Sequence, residues 1–192
     1  MGREFELKFQ ASDEILTEVA EKYGDFHRID METTYYDTPE GALSQRHITL
    51  RRRMENGQSV CTVKTPLSDG SRGEWELEWD DPDTMVEQLC AQGAPLELKI
   101  LTCRGIGPVC GARFTRLAKT VAGENWAVEL ALDSGVLLGG GREIPLRELE
   151  VELKSGDDAA AVAFARQLAE EYGLQPQTKS KFRRAQLLAK GE

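Results

Sequence analysis

Polar and apolar residues alternate strictly along several stretches of this chain of 192 residues. Because the side chains of a β-strand point alternately to opposite faces, this period of two predicts strands with one charged and one apolar face. Glutamates occupy the charged face of three such strands: Glu4 and Glu6; Glu74, Glu76 and Glu78; Glu148, Glu150 and Glu152. Two other strands carry cations there, with Arg51 and Arg53 on the first and Lys64 on the second. The same period puts Arg52 on the outer face of its strand.

Apolar residues at helical spacing, bounded by capping residues, predict helices over about 13–23, 82–92, 157–173 and 178–189. Further strand-like segments lie near 33–36, 114–121, 126–132 and 136–138. Turns are predicted at Asn56-Gly57, at Asp133-Ser134-Gly135 and at Gly139–Gly141. Residues 94–111 show no clear period. Roughly eight strands joined mostly by hairpins indicate an α+β protein with an antiparallel sheet, and the length fits one domain over residues 1–192.

The charged strand faces allow two interpretations. The first is a solvated sheet face with ion pairs between neighbouring strands. The second is a closed sheet with helices outside, whose charged faces point into a wet interior. Clustered carboxylates repel one another unless a divalent cation joins them, and Mg²⁺ and Mn²⁺ prefer oxygen ligands. Guanidinium and ammonium groups bind phosphate oxygens, so a metal-bound polyphosphate would satisfy both sets of charges.

Composition narrows the classes of function. The formal net charge of -9 argues against general binding to nucleic acid. The N-terminus does not resemble a signal peptide, and no apolar run approaches the roughly 20 residues that span a bilayer, so a cytoplasmic location is expected. None of the four cysteines forms a Cys-x-x-Cys pair, which makes a zinc site improbable.

The charged residues form an ordered series of short motifs along nearly the whole chain. They are Glu4-x-Glu6-x-Lys8, Tyr35 to Pro39, Leu50-Arg51-x-Arg53, Thr62-x-Lys64, Glu74, Glu129 followed by Leu132 to Gly135, Glu148-x-Glu150, and Ser180-Lys181-x-x-Arg184. This series resembles the CYTH family, also called triphosphate tunnel metalloenzymes. Within the family, the run from Leu146 to Gly156 looks most like the bacterial inorganic triphosphatases.

The resemblance implies an eight-stranded antiparallel β-barrel, or tunnel, with helices packed on the outside. It also implies a small-molecule triphosphate substrate and Mg²⁺ or Mn²⁺ as cofactor. Transferred motif by motif, the expected metal ligands are Glu4, Glu6, Glu129, Glu148 and Glu150. The expected phosphate ligands are Lys8, Arg51, Arg53, Lys64, Arg116, Lys119, Lys181 and Arg184, and the expected catalytic residues are Lys8, Glu4 and Glu74. The register of the strand near 113–119 and the role of Glu152 stay open.

We expect hydrolysis of inorganic triphosphate, no nucleic-acid or membrane partner, and a monomer or homodimer. Two other activities known in the family, thiamine triphosphatase and class IV adenylate cyclase, remain as alternatives. A non-catalytic module that binds polyphosphate or a nucleotide is the alternative from another class. The phosphate-binding residues would serve every one of these ligands, so the sequence does not choose among them.

Overall fold

The computed structural model describes residues 6–67 and 72–192, whose strands form one antiparallel sheet. The strands are β1 (Glu6–Gln10), β2 (His27–Asp37), β3 (Thr49–Glu55), β4 (Gln58–Pro66), β5 (Arg72–Glu78), β6 (Gly107–Ala122), β7 (Trp126–Gly139), β8 (Arg142–Gly156) and β9 (Gln175–Pro176). The helices are α1 (Asp13–Tyr23), α2 (Met85–Ala91), α3 (Glu97–Leu101), α4 (Asp158–Tyr172) and α5 (Lys181–Lys190). The strand order across the sheet is β5-β4-β3-β2-β6-β7-β8-β1-β9.

This architecture confirms the α+β class and the antiparallel sheet, and it adds a ninth strand to the expected eight. The added strand, β9, has only two residues and pairs with Phe9 and Gln10 of β1. Within the described residues no ladder joins β5 to β1, so hydrogen bonding does not close the sheet into a complete barrel. The sheet is nevertheless curved, because side chains of β1 and β5 line the same cavity.

Four helices cover the outer face of the sheet, as the apolar halves of the alternating strands require. Helices α1 and α4 pack on one apolar cluster with β1, β7 and β8, in which Val19, Leu130 and Ala165 are fully buried. Helices α2 and α3 pack on a second cluster with β3, β4 and β5, centred on Cys61 and Val63. None of the described helices is long and apolar enough to cross a bilayer.

Helix α5 departs from the expected arrangement because it lies on the inner, charged face of the sheet. Its Ala185 packs with Met31, Phe114 and Leu146, which share that face with the charged residues of their strands. The close approach depends on Gly139 of β7, where a Cβ atom would overlap the backbone of α5. Ser180 caps the helix by accepting a hydrogen bond from the backbone N–H of Arg183 at 3.1 Å.

The longest hairpin, β7 and β8, differs from the sequence prediction in one place. Asp133-Ser134-Gly135, predicted as a turn, continues β7 as regular strand. Gly135 is needed there for close packing rather than for a turn, because a Cβ atom would overlap the backbone of the neighbouring strand at Arg113 and Phe114. The chain reverses instead at Gly140 and Gly141, whose φ angles of 58° and 73° fit the second predicted turn.

The predicted turn after β3 and the predicted cap of α1 agree with the structure, whereas the start of α2 differs. Asn56 and Gly57 have φ angles of 49° and 88° and join β3 to β4. Ser12 caps α1 by accepting from the N–H of Ile15. Helix α2 begins later than predicted, at Met85, because the Asp81 carboxylate accepts hydrogen bonds from its near neighbours and holds residues 81–84 in a separate turn.

Candidate active site

The inner face of the sheet encloses a cavity of about 470 Å³. Side chains from strands β1 to β8 and from the start of α5 line it, and most of them are charged. The predicted site residues that line the cavity are Glu6, Lys8, Arg51, Arg53, Lys64, Glu74, Arg116, Glu129, Glu150 and Lys181. Charged residues from distant parts of the sequence are therefore brought together around one cavity, and several of them form ion pairs between neighbouring strands.

One wall of the cavity is cationic and is built by β3 and β4. Arg51 lies opposite Thr62, and Lys64 lies opposite Glu74 with 3.3 Å between the ammonium nitrogen and a carboxylate oxygen. Within the described residues, the buried Nε atom of Arg51 has no hydrogen-bond partner. A buried donor without a partner is costly, so this wall has capacity for an anionic ligand.

Arg53 extends the cationic wall towards one end of the cavity. Its Nε donates to Glu55 Oε1 at 2.6 Å, and both side chains line the cavity. Burial and the nearby charge of Arg51 lower the pKa of Arg53 below its ordinary value. Arg52 behaves as the period of two predicts, because its side chain points away from the cavity and contacts Ser59 and Asp80.

A largely buried charge cluster extends from the cavity wall to α5 and fixes this helix to the sheet. We refer to Asp133, Glu148, Glu150, Arg116, Lys181 and Arg184 as the buried cluster. Lys181 Nζ lies 2.8 Å from Asp133 Oδ2 and 2.6 Å from Glu150 Oε1, and it also contacts Glu148. Arg184, one helical turn later, contacts Glu148 as well.

Mutual attraction outweighs burial within this cluster. Burial alone would lower the pKa of Lys181, but Asp133, Glu150 and Glu148 raise it well above its ordinary value. Burial alone would raise the pKa of Glu150, but Lys181 and Arg116 hold it far below its ordinary value. Lys181 and Glu150 therefore both remain charged at neutral pH, inside a cluster of three acidic and three basic side chains.

The three carboxylates of the buried cluster have ligand atoms within 4.8 Å of one another and could hold a metal ion. Each already contacts at least one protein cation, however. Glu148 is completely buried and Arg184 does not line the cavity. The expected metal ligand Glu148 and phosphate ligand Arg184 are thus placed behind the cavity wall, where they stabilise α5.

A second acidic group lies in the cavity itself, on three neighbouring strands. Glu6 of β1 is directly opposite Glu152 of β8, and Glu152 is directly opposite Glu129 of β7. We call these three residues the glutamate row. Like charges directly opposite one another in a sheet are destabilising, so the row favours a bound cation. Carboxylate oxygens are also the ligands that Mg²⁺ and Mn²⁺ prefer, and the donor set of the row fits either ion.

Lys119 and Glu4 are two further predicted site residues. Lys119 does not reach the cavity, because it lies on the opposite face of β6 from Arg116. Its ammonium group instead donates to the carbonyl oxygens of Tyr23 and Gly24, at 2.6 and 3.0 Å, at the end of α1. Glu4, expected both as a metal ligand and as a catalytic residue, lies outside the described residues.

Several residues of the site are not among the predicted site residues. Asp133 is predicted as part of a turn, although counting in steps of two from Glu129 along a continuous strand places it on the charged face. Glu55, Glu76 and Lys154 also line the cavity and were not selected. Glu152, whose role was left open, belongs to the glutamate row.

The Tyr35 to Pro39 motif has an architectural role at one end of the cavity. The Asp37 carboxylate accepts hydrogen bonds from the backbone N–H groups of Thr38, Leu43 and Ser44, at 2.8, 2.9 and 3.0 Å. These bonds shape the loop that leads into β3 and so position Arg51. Tyr35 is buried against Phe182 of α5, with ring centroids 5.0 Å apart, and burial raises its pKa.

Comparison with known proteins identifies the family of this chain. The model of the CYTH domain matches residues 2–185, and the chain therefore belongs to the CYTH family. It is 29% identical over 197 residues to an inorganic triphosphatase of Haemophilus influenzae, with 98% of this chain and 55% of that protein covered. It is 30% identical over 161 residues to a thiamine-triphosphatase of Macaca fascicularis, with 82% of this chain and 64% of that protein covered.

The fold has counterparts among solved structures. A candidate adenylate cyclase from Bacillus halodurans superposes with a TM-score of 0.64 at 16% identity, over 96% of this chain and 98% of that one. At that level of identity the likeness concerns the fold alone. The chain spans less than two thirds of the length of either curated relative named above. The activity of a whole relative is therefore a hypothesis for this chain.

Proposed function

We propose that this protein hydrolyses inorganic triphosphate to diphosphate and phosphate inside the cavity, with the help of Mg²⁺ or Mn²⁺. The observation that carries the proposal is the division of one cavity between a cationic wall and an acidic wall. Arg51, Arg53 and Lys64 offer N–H donors to phosphate oxygens, while the glutamate row offers oxygen ligands to a metal ion. A metal-bound triphosphate is the ligand that meets both requirements.

We place the metal at the glutamate row, with Glu150 beside it, rather than at the centre of the buried cluster. The buried cluster has already balanced its three negative charges with Lys181, Arg116 and Arg184. A metal ion there would have to displace a buried ammonium group that three carboxylates hold. At the glutamate row, a bound ion would supply positive charge against the phosphoryl oxygens at the point where negative charge develops.

The remaining steps are assigned to side chains of this chain. Arg51, Arg53 and Lys64 would bind the phosphoryl oxygens and neutralise the charge that moves to the diphosphate leaving group. Lys8, whose ammonium group lies 3.2 Å from Glu6, would orient the terminal phosphoryl group for attack. Glu74, on the cavity wall beside Lys64, would accept the proton of the attacking water.

We expect selectivity for inorganic triphosphate because the described residues of the cavity offer little apolar surface to an organic ring. The apolar lining of the cavity is small, because Met31 and Phe114 are only 4% and 6% exposed under α5, while Ile29 and Phe182 are partly buried. An adenine or thiazole ring would therefore gain little apolar contact and would have to be desolvated beside charged groups. If the binding energy comes from phosphate contacts alone, the smallest triphosphate is favoured, because it has no appended ring to desolvate. A cytoplasmic location and a monomeric or dimeric state belong to the same proposal.

The test is a substrate panel with purified protein, measured with Mg²⁺, with Mn²⁺ and with a chelator. Inorganic triphosphate should give the highest kcat/KM, and the chelator should abolish phosphate release. Dominant hydrolysis of thiamine triphosphate, or cyclic AMP formed from ATP, would assign one of the alternative activities. Triphosphate binding without turnover under any metal condition would indicate a non-catalytic module.

The metal assignment is tested by Glu6→Gln, which removes one charge from the glutamate row with little change in shape. We expect loss of turnover and of Mn²⁺ binding, while the circular dichroism spectrum stays that of the unaltered protein. Glu32→Gln is the matched control, because Glu32 is exposed on the outer face of β2. Wild-type rates in the Glu6→Gln protein would refute the assignment.

A further inference from the structure

The ammonium group of Lys154 contacts the glutamate row. Its ammonium nitrogen lies 3.0 Å from Glu152 Oε1 and 3.9 Å from Glu129 Oε2, so it bridges two of the three glutamates. Lys154 is not among the predicted site residues and has no role in the triphosphatase mechanism proposed above.

The backbone of β8 is irregular at this point in a way that affects Lys154. Val128 pairs with Leu153 and Ala127 pairs with Ser155, so Lys154 is passed over in the ladder between β7 and β8. An extra residue of this kind is a β-bulge, which bends the strand and can redirect a side chain. Here the side chain of Lys154 lines the cavity and lies beside two of the glutamates.

Lys154 also differs from the other cations near the row. Lys8 contacts Glu6 and Arg116 approaches Glu129, but their side chains are only 25% and 13% exposed. The side chain of Lys154 is 44% exposed. A long, flexible and partly solvated lysine can leave its carboxylates for water without any movement of the strand. Among these three cations it is therefore the one most easily displaced.

We propose that Lys154 is a tethered counter-ion that partly neutralises the glutamate row in the metal-free protein and competes with the divalent ion for Glu129 and Glu152. The inference rests on the proposed function, because it requires that the metal bind at this row. An ammonium group and a dication that contact the same carboxylates repel each other, since both are positively charged. Lys154 therefore weakens the affinity of the row for the metal, and movement of its side chain into water relieves the repulsion.

The experiment is a calorimetric titration of the full chain with Mn²⁺ in the absence of substrate. It compares the wild type, Lys154→Gln and the control Lys99→Gln, which removes the same charge from the exposed surface of α3. We expect the Kd for Mn²⁺ to fall roughly five- to tenfold in Lys154→Gln and to stay unchanged in Lys99→Gln. The difference should shrink as salt is raised, because the site is partly exposed.

Thermal unfolding provides a second readout. In a chelator, Lys154→Gln should lower the Tm because the glutamates lose a counter-ion, and Mn²⁺ should then raise the Tm more than it does in the wild type. Equal Mn²⁺ affinity in the two proteins, together with a higher KM for triphosphate in the variant, would make Lys154 a phosphate ligand and overturn the inference. If neither protein binds Mn²⁺, the proposed metal site falls and the inference falls with it.

Discussion

Arg116 of β6 and Asp133 of β7 lie opposite each other and form a bidentate ion pair. Arg116 Nε donates to Asp133 Oδ1 and Nη2 donates to Oδ2, each at 2.8 Å. The Asp133 side chain is completely buried, and Arg116 is 13% exposed. The pair thus joins the wall of the cavity to the buried cluster, because Arg116 lines the cavity while Asp133 also contacts Lys181 of α5.

Removing one charge from this pair should destabilise the protein strongly. Asp133→Asn keeps the shape of the side chain but leaves Arg116 and Lys181 with an uncompensated buried charge, at a cost of about 3 kcal/mol. The measurement is urea unfolding at equilibrium. Asp30→Asn is the matched control, since Asp30 pairs with Arg28 on the exposed surface and should change stability little. Similar losses in both variants would contradict a special role for the buried pair.

Strand β7 contains one site residue that could be predicted from the sequence and one that could not. The family resemblance, rather than the period of two, predicts Glu129 at the site, and its side chain lines the cavity. Asp133 was misread because Asp-Ser-Gly is also a common turn sequence, and the reason for the glycine is a close approach to β6. That approach depends on residues about twenty positions away, which no local pattern can show.

The position of α5 was unpredictable for a related reason. The sequence showed a short basic helix with apolar residues, and such a helix could pack on either face of the sheet. Ala185 and the glycine at position 139 allow close contact with the inner face, so α5 packs there. Lys181 is thereby brought to three carboxylates that lie on two other elements. The prediction that it belongs to the charged interior rested on the family resemblance rather than on any periodicity.

Lys119 provides a direct test of the register of β6. Its ammonium group binds the last carbonyl groups of α1, which is a stabilising position for a cation. Lys119→Met should therefore lower the free energy of unfolding by about 1 kcal/mol and leave KM for triphosphate unchanged. A clear rise in KM without loss of stability would indicate that Lys119 binds the substrate and that the register of β6 is wrong.

The cysteines should differ sharply in reactivity. Burial raises the pKa of Cys61 to about 11 and that of Cys110 to about 12, whereas Cys103 is exposed. Because the thiolate is the reactive form, native protein at pH 8 should show a single fast thiol in a colorimetric thiol titration. Cys103→Ser should abolish that fast phase. A second fast thiol in the native protein would mean that the packing around Cys61 or Cys110 opens more readily than their burial indicates.

The strongest test of the cationic wall compares three consecutive arginines on β3. Arg51 and Arg53 line the cavity, whereas Arg52 points outwards to Ser59 and Asp80. Alanine at 51 or 53 removes donors aimed at phosphate and should lower kcat/KM for triphosphate by roughly a hundredfold or more. Arg52→Ala removes the same charge from the same strand, so it controls for net charge and for strand propensity, and it should leave kcat/KM nearly unchanged.

The control also separates binding from folding. Each variant is first compared by urea unfolding, so that a loss of activity is interpreted only where the folded fraction is unchanged. If Arg51→Ala alone lowers activity, the phosphate site lies nearer Lys64, and Arg53 serves mainly to hold Glu55. If all three variants lose activity equally, a one-residue error in the register of β3 would be the simplest cause, because such a slip exchanges the two faces of the strand.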